Sequence, residues 1–241
     1  GTAKIAKKIG RNNQKKFFKK LGFDKKINFK INESAKPLGN KNNWGELETM
    51  TIGYGHGYAV TPLHLVKAYA SIANDGFEVN PSIVMGNKNF ENKNILLNKN
   101  TSDYFLKLLK SVVSKTNFTG PRVKIDGYDI GGKTGTAMIV NKNGGYYLDR
   151  DLTSFIGVFP INNPKYVVLT IVEYPKVIKE INNKTTGAWI NAPLVKEIIL
   201  RMIEILKIPK EMSKELLNAD IKHIYKTHNA SFWFKKYYKY K

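Results

Sequence analysis

Between Tyr128-Asp129-Ile130 and the apolar run Met138-Ile139-Val140 stands Gly131-Gly132-Lys133-Thr134-Gly135-Thr136-Ala137, which puts a cation, two hydroxyls and a glycine into one short extended segment. Lys133 can supply a fixed positive charge and a route for a proton. Thr134 and Thr136 can donate hydrogen bonds to a carboxylate or a carbonyl, and Gly135 lets a second backbone approach closely. Together these residues suit a strand that aligns a peptide and holds its acidic end.

The elements that must position this segment can be read from periodicity. Thr61-Pro62 starts a helix, with Thr61 as N-cap and Pro62 at the first helical position, and Leu63, Val66, Ala70 and Ala73 make it apolar before Asn74-Asp75-Gly76 ends it. Phe105, Leu108, Leu109, Val112 and Val113 predict an amphipathic helix from Thr101. The strand bearing Lys133 is expected from Tyr128 to about Val140, followed by turn residues Asn141 to Gly145. Thr153 to Pro160 and Tyr166 to Glu173 read as two further strands, antiparallel across the short link Ile161 to Lys165. The last of these is apolar almost throughout, as in a strand covered on both faces. Asn191 and Pro193 are expected to open a final helix with Val195, Ile198, Ile199, Met202 and Leu206 inward. Upstream, short helices are expected from Ala3 to Ile9 and from Gln14 to Leu21, then a long loop from Asn28 to Asn43.

Composition sets wide bounds. The chain has 241 residues, enough for one domain with an appendage, and 40 Lys+Arg against 19 Asp+Glu give a net charge of +21. That charge would draw it towards polyanions, although abundant Asn, Lys, Ile, Tyr and Phe also point to a general compositional bias. There is no cysteine, no apolar run long enough to span a bilayer and no metal spacing among His56, His64, His223 and His228, so no cofactor or metal is expected. Gly53-Tyr54-Gly55-His56-Gly57 lacks the spacing of a phosphate cradle.

Gly132-Lys133-Thr134-Gly135-Thr136-Ala137 resembles the third active-site motif of the penicillin-binding protein and serine β-lactamase superfamily. A second block is longer. Gly53-Tyr54-Gly55, then Val60-Thr61-Pro62-Leu63 and Ala68-Tyr69-Ala70 to Gly76, is similar to the stretch between the second and third motifs of class B penicillin-binding proteins of the cell-division type. The resemblance covers residues 3 to about 207 and implies an α+β fold, an antiparallel sheet flanked by helices, with residues 1–207 the C-terminal portion of a transpeptidase domain. Residues 208–241 form a basic, aromatic tail outside the family pattern.

The resemblance implies acyl transfer from D-Ala-D-Ala stem peptides of peptidoglycan, with β-lactams as mimics. Lys133 would be catalytic, Thr134 and Thr136 would bind the terminal carboxylate, and Gly135 would leave room for the peptide. It also implies a place on the periplasmic face of the inner membrane, an anchor outside this chain, and a partner complex of cell division or wall elongation. The family's first two motifs, S-x-x-K and S-x-N, are absent: no serine has Lys three residues on or Asn two residues on. The opening Gly1-Thr2-Ala3-Lys4-Ile5-Ala6 is similar to the family's residues just downstream of S-x-N. The nucleophile, its helix and further strands are therefore expected from an upstream half, and the chain alone is expected to be inactive. The alternatives are another superfamily activity, D,D-carboxypeptidase or β-lactamase, or a non-catalytic basic domain binding anionic membrane or nucleic acid; nucleic acid is not expected as a partner under the family reading.

Overall fold

The computed structural model describes residues 1–29, 34–39, 44–84, 94–115, 119–141, 143–176 and 184–210. Of the tail expected from 208 to 241, residues 211–241, His223 and His228 among them, lie outside the described residues.

Three strands form the principal sheet: β3 (Gly131–Val140), β4 (Tyr146–Phe159) and β5 (Tyr166–Glu173), in the order β3-β4-β5 and antiparallel throughout. Among the described residues, β3 and β5 are both edges. The strand expected from Tyr128 begins instead at Gly131, because Tyr128 closes a turn with Ile125 before the ladder starts. β4 begins well before the expected Thr153: Gly144 and Gly145 take positive φ, and Asn141 N–H bonds to the Gly145 carbonyl, so the turn carries pairing directly into Tyr146. β5 has the bounds read from its sequence.

The register divides the sheet into two faces. Phe155 opposes Thr134 and Gly157 opposes both Gly132 and Val168. On that face α7 (Gly187–Leu206) buries Ala192, Val195 and Ile199 against Phe155 and Phe159. The helix expected from Asn191 thus starts four residues earlier, with Pro193 inside it. One proline removes one ladder hydrogen bond, and the fully buried Ala192 and Val195 on either side hold the helix in place. On the other face Val158 meets α4 (Pro62–Ala73) and α5 (Lys99–Lys115), where Val158, Leu109 and Ile161 pack with Tyr69 and Phe105.

Thr61 caps α4 as expected, accepting from His64 N–H. The buried stripe of α5 runs through Ser102, Leu109 and Val113; Leu108, expected inward, is 45% exposed. Asn74-Asp75-Gly76 ends α4 with positive φ at both Asp75 and Gly76.

The N-terminal helices are α1 (Thr2–Ile9) and α2 (Arg11–Lys20), separated by Gly10 at φ 80°. They pack with a helix not expected from the sequence, α3 (Glu46–Ile52), whose Glu48 carboxylate accepts from Gly45 N–H at 2.8 Å. Phe18, Phe23, Trp44 and Tyr58 form an aromatic cluster there, and the Tyr58 hydroxyl donates to the Phe23 carbonyl at 2.6 Å. The expected loop of residues 28–43 contributes a two-residue strand, β1 (Leu38–Gly39), paired with β2 (Tyr58–Ala59). A short helix α6 (Gly120–Val123), also not expected from the sequence, precedes β3. No helix among the described residues is long and apolar enough to cross a membrane.

Candidate active-site strand

Residues 131–137 lie in the β3–β4 ladder, with Lys133 opposite Ile156, Thr134 opposite Phe155, Gly135 opposite Ser154 and Thr136 opposite Thr153. Because side chains alternate along a strand, Lys133 stands on the α4–α5 face, and Thr134 and Thr136 on the α7 face. A peptide laid along the open edge of β3 would therefore have a cation on one side and two hydroxyls on the other. Lys133 is exposed, and its ammonium donates to the Thr134 carbonyl at 2.7 Å, which keeps the side chain folded along its own strand.

Lys133, Ile156 and Leu169 form one cross-strand row, since Ile156 is in register with both. Gly135, Ser154 and Ile171 form the next. Leu169 and Ile171 line a groove of about 600 Å³ between β5 and α4, whose other walls include Leu63 and Val66. A second, of about 510 Å³, continues past Val66 to Val167 and Tyr166. Lys133 thus stands on the same sheet face as the apolar groove lined by Leu169 and Ile171, two strands or roughly 10 Å away.

The hydroxyl of Thr136 accepts from Gly187 N–H at 3.3 Å, linking β3 to the first residue of α7. A methyl group on Gly187 would overlap the Ser154 carbonyl and lie 2.8 Å from that of Gly135; one on Gly135 would lie 2.5 Å from Ser154 Oγ. Gly187 and Ser154 did not emerge as site residues from the sequence. Thr186 before an apolar periodic run is an N-cap signal for Gly187, but the stronger Pro193 signal points to a helix start further downstream.

At the far end of the β3–β4 hairpin, His56 Nε2 lies 3.1 Å from the Tyr146 hydroxyl and its ring stacks with Tyr54. The glycines of this turn, Gly55 and Gly57, take positive φ, and the segment serves as a turn against the hairpin. His64 is buried, with Nε2 2.9 Å from the Lys25 carbonyl and Nδ1 2.7 Å from Thr61 Oγ1. A carbonyl only accepts, so the proton sits on Nε2 and the Thr61 hydroxyl donates to Nδ1. Among the described residues no group of His, Asp and Glu could hold a metal ion.

Residues 1–200 match the family described as the penicillin binding protein transpeptidase domain. The chain is 35% identical over 185 residues to the peptidoglycan D,D-transpeptidase FtsI homolog of Mesostigma viride, an alignment covering 68% of this chain and 30% of that protein. It is 28% identical over 220 residues to the probable peptidoglycan D,D-transpeptidase FtsI of Caulobacter vibrioides, covering 88% and 37%. The chain thus spans about a third of the length of these relatives. Among solved structures, the apo transpeptidase domain of Burkholderia pseudomallei penicillin-binding protein 3 superposes with a TM-score of 0.77 at 26% identity, covering 88% of this chain and 63% of that one. Penicillin-binding protein 3 of Mycobacterium tuberculosis in complex with ampicillin has the same fold, with a TM-score of 0.75 at 22% identity and coverage of 88% and 50%.

Proposed function

Because the chain belongs to the penicillin-binding protein transpeptidase domain family, we propose that it carries the substrate-aligning wall of a peptidoglycan D,D-transpeptidase, and that the nucleophile comes from residues outside these 241. Lys133 holds the electrostatic and proton-transfer role, Thr134 and Thr136 bind the terminal carboxylate of a D-Ala-D-Ala stem peptide or of a β-lactam, and Gly135 leaves room for the peptide. The observation that carries this reading is the cross-strand row Lys133–Ile156–Leu169, which puts the cation on the sheet face that also bears the groove.

The chemistry assigns the parts. A serine oxygen bonds to the carbonyl carbon of the penultimate D-alanine while its proton passes to an activating lysine. The peptide C–N bond breaks, and the terminal D-alanine leaves as the amine with that proton. An amine of a neighbouring strand then attacks the acyl ester, and the serine recovers its hydrogen. No serine in this chain has a lysine three residues on, so we assign the S-x-x-K element to an upstream helix and seat it in the groove against Leu63, Val66, Leu169 and Ile171. The apolar lining suits such a helix, and its nucleophile would then face Lys133 across one sheet face. The assembly works on the periplasmic face of the inner membrane, held by a segment outside this chain, within a complex of division or elongation. The ampicillin complex of a protein with this fold supports β-lactams as ligands.

Fluorescent penicillin separates the outcomes. Purified 1–241 is expected to take no covalent label, and to become part of a labelled assembly when the upstream half bearing S-x-x-K and S-x-N is supplied. Labelling of 1–241 itself, or an assembly whose labelling is unchanged by Lys133→Ala, overturns the proposal.

A further inference from the structure

We propose that Gly187, the first residue of α7, is a positioning residue that fixes the Thr136 hydroxyl as a donor to the substrate carboxylate. The inference rests on the carboxylate-binding role proposed for Thr136.

A threonine hydroxyl has one proton and two lone pairs. In this fold one lone pair is taken by Gly187 N–H at 3.3 Å. The bond consumes no proton of Thr136; it restricts the rotor, so the O–H points away from α7. Thr136 is exposed on the edge strand, and among the described residues no hydrogen bond uses its proton, which a ligand can take in place of water. The amide belongs to the first turn of a 20-residue helix, whose N-terminal partial charge also favours a carboxylate nearby.

Glycine is required because this is a contact between backbones. A methyl group at 187 would overlap the Ser154 carbonyl and crowd that of Gly135, and these two residues are a register pair of the β3–β4 ladder. Neither carbonyl can step aside without breaking the ladder that carries Lys133. The start of α7 would retreat instead, and its N–H with it. Just before the helix, Thr185 Oγ1 donates to Asp151 Oδ2 at 3.2 Å, a second tie between this segment and β4.

The test uses this chain together with the upstream half that supplies the nucleophile, and compares acylation by a penicillin with acylation by its uncharged methyl ester. Thr136→Val is expected to lower the ratio of the two rates about 10-fold, the effect of one hydrogen bond to a charged group, and Thr136→Ser to preserve it. Gly187→Ala is expected to lower the ratio by several-fold, on the order of the same effect, the free acid losing more rate than the ester. If Gly187→Ala slows both compounds equally, or neither, while Thr136→Val still lowers the ratio, the positioning role is wrong and the carboxylate role of Thr136 stands. If Thr136→Val leaves the ratio unchanged, the carboxylate role fails and takes the inference with it. Should Gly187→Ala not fold, replacing Gly187 by glycolic acid deletes the N–H without adding a methyl group, and the same ratio decides.

Discussion

Lys67 Nζ lies 2.6 Å from Glu78 Oε1, and the two side chains are only 7% and 15% exposed, so this ion pair is sealed between α4 and the segment after it. Burial pushes the Glu78 carboxyl up, but hydrogen bonds from Lys67 and Asn94 and the charges of Lys67 and Lys25 outweigh that and leave it below the ordinary glutamate range. Removing one partner strands the other charge. Lys67→Met is expected to cost about 3 kcal/mol, and Lys67→Met with Glu78→Leu less than Lys67→Met alone. Because the folded carboxyl titrates lower than the unfolded one, its contribution is present above the unfolded value and is lost as pH falls through the folded one. Urea unfolding of wild type and Glu78→Gln should therefore differ at neutral pH and converge in acid; a gap that persists in acid would show that the pair acts through packing alone.

Asp129 tests the opposite regime, an exposed pair beside β3. Lys110 Nζ is 2.6 Å from Asp129 Oδ2 and 3.1 Å from Asn162 Oδ1, joining α5 to the approach to β3 and to the β4–β5 turn. Burial raises the Asp129 carboxyl, but the hydrogen bonds from Lys110 and Asn162 and the Lys110 charge more than offset it, and the group ends lowered. With side chains 38% and 49% exposed, solvent screens most of this. Asp129→Asn is expected to cost under about 1 kcal/mol at neutral pH, fading as pH drops through the lowered value and with added salt. A salt-independent loss of several times that size would contradict the screening argument.

The elements legible in the sequence are those whose signals are local. Thr61-Pro62 and the run Tyr166 to Glu173 carry their caps and periodicity within a few residues, and α4 and β5 have the expected bounds. The start of α7 differs from expectation because Pro193 is a strong local signal that a distant fact overrides: Gly187 is set by its fit against Ser154 and Gly135. Spacing places Leu108 inward, yet α5 turns Ser102 to the core, where its hydroxyl bonds the Ile72 carbonyl. The segment around Lys133 is legible as a strand, and it lies in the β3–β4 ladder. The bond from Gly187 to Thr136 spans 51 residues, and no periodicity encodes it.

Thr61 joins two roles that one substitution would separate. Its oxygen accepts from His64 N–H at 3.4 Å as the α4 cap, and its hydroxyl satisfies His64 Nδ1 at 2.7 Å. Thr61→Ala loses both, and Thr61→Ser neither. The alanine variant is expected to cost about 1–2 kcal/mol, the upper part of the range for a lost cap, because it also leaves a buried imidazole nitrogen unpaired. Thermal unfolding of the two variants checks this; equal losses would assign the effect to the threonine methyl group.

The two sheet edges should behave differently. β3 carries Lys133 and two threonines, a polar edge that discourages pairing, whereas β5 is apolar from Tyr166 to Val172 apart from Thr170 and lines the groove through Val167, Leu169 and Ile171. Without an upstream half, 1–241 is expected to self-associate along β5 in a concentration-dependent way, and Ile171→Lys to return it to a monomer by placing a charge on the apolar wall. Under the proposed seating of an upstream helix in that groove, the same substitution should abolish penicillin labelling of the assembled domain. Sedimentation velocity across a range of concentrations reads the first effect and gel fluorescence the second. A wild-type chain that stays monomeric at high concentration with its β5 amides protected from exchange would mean that the strand is already covered, and that the groove is not where an upstream half sits.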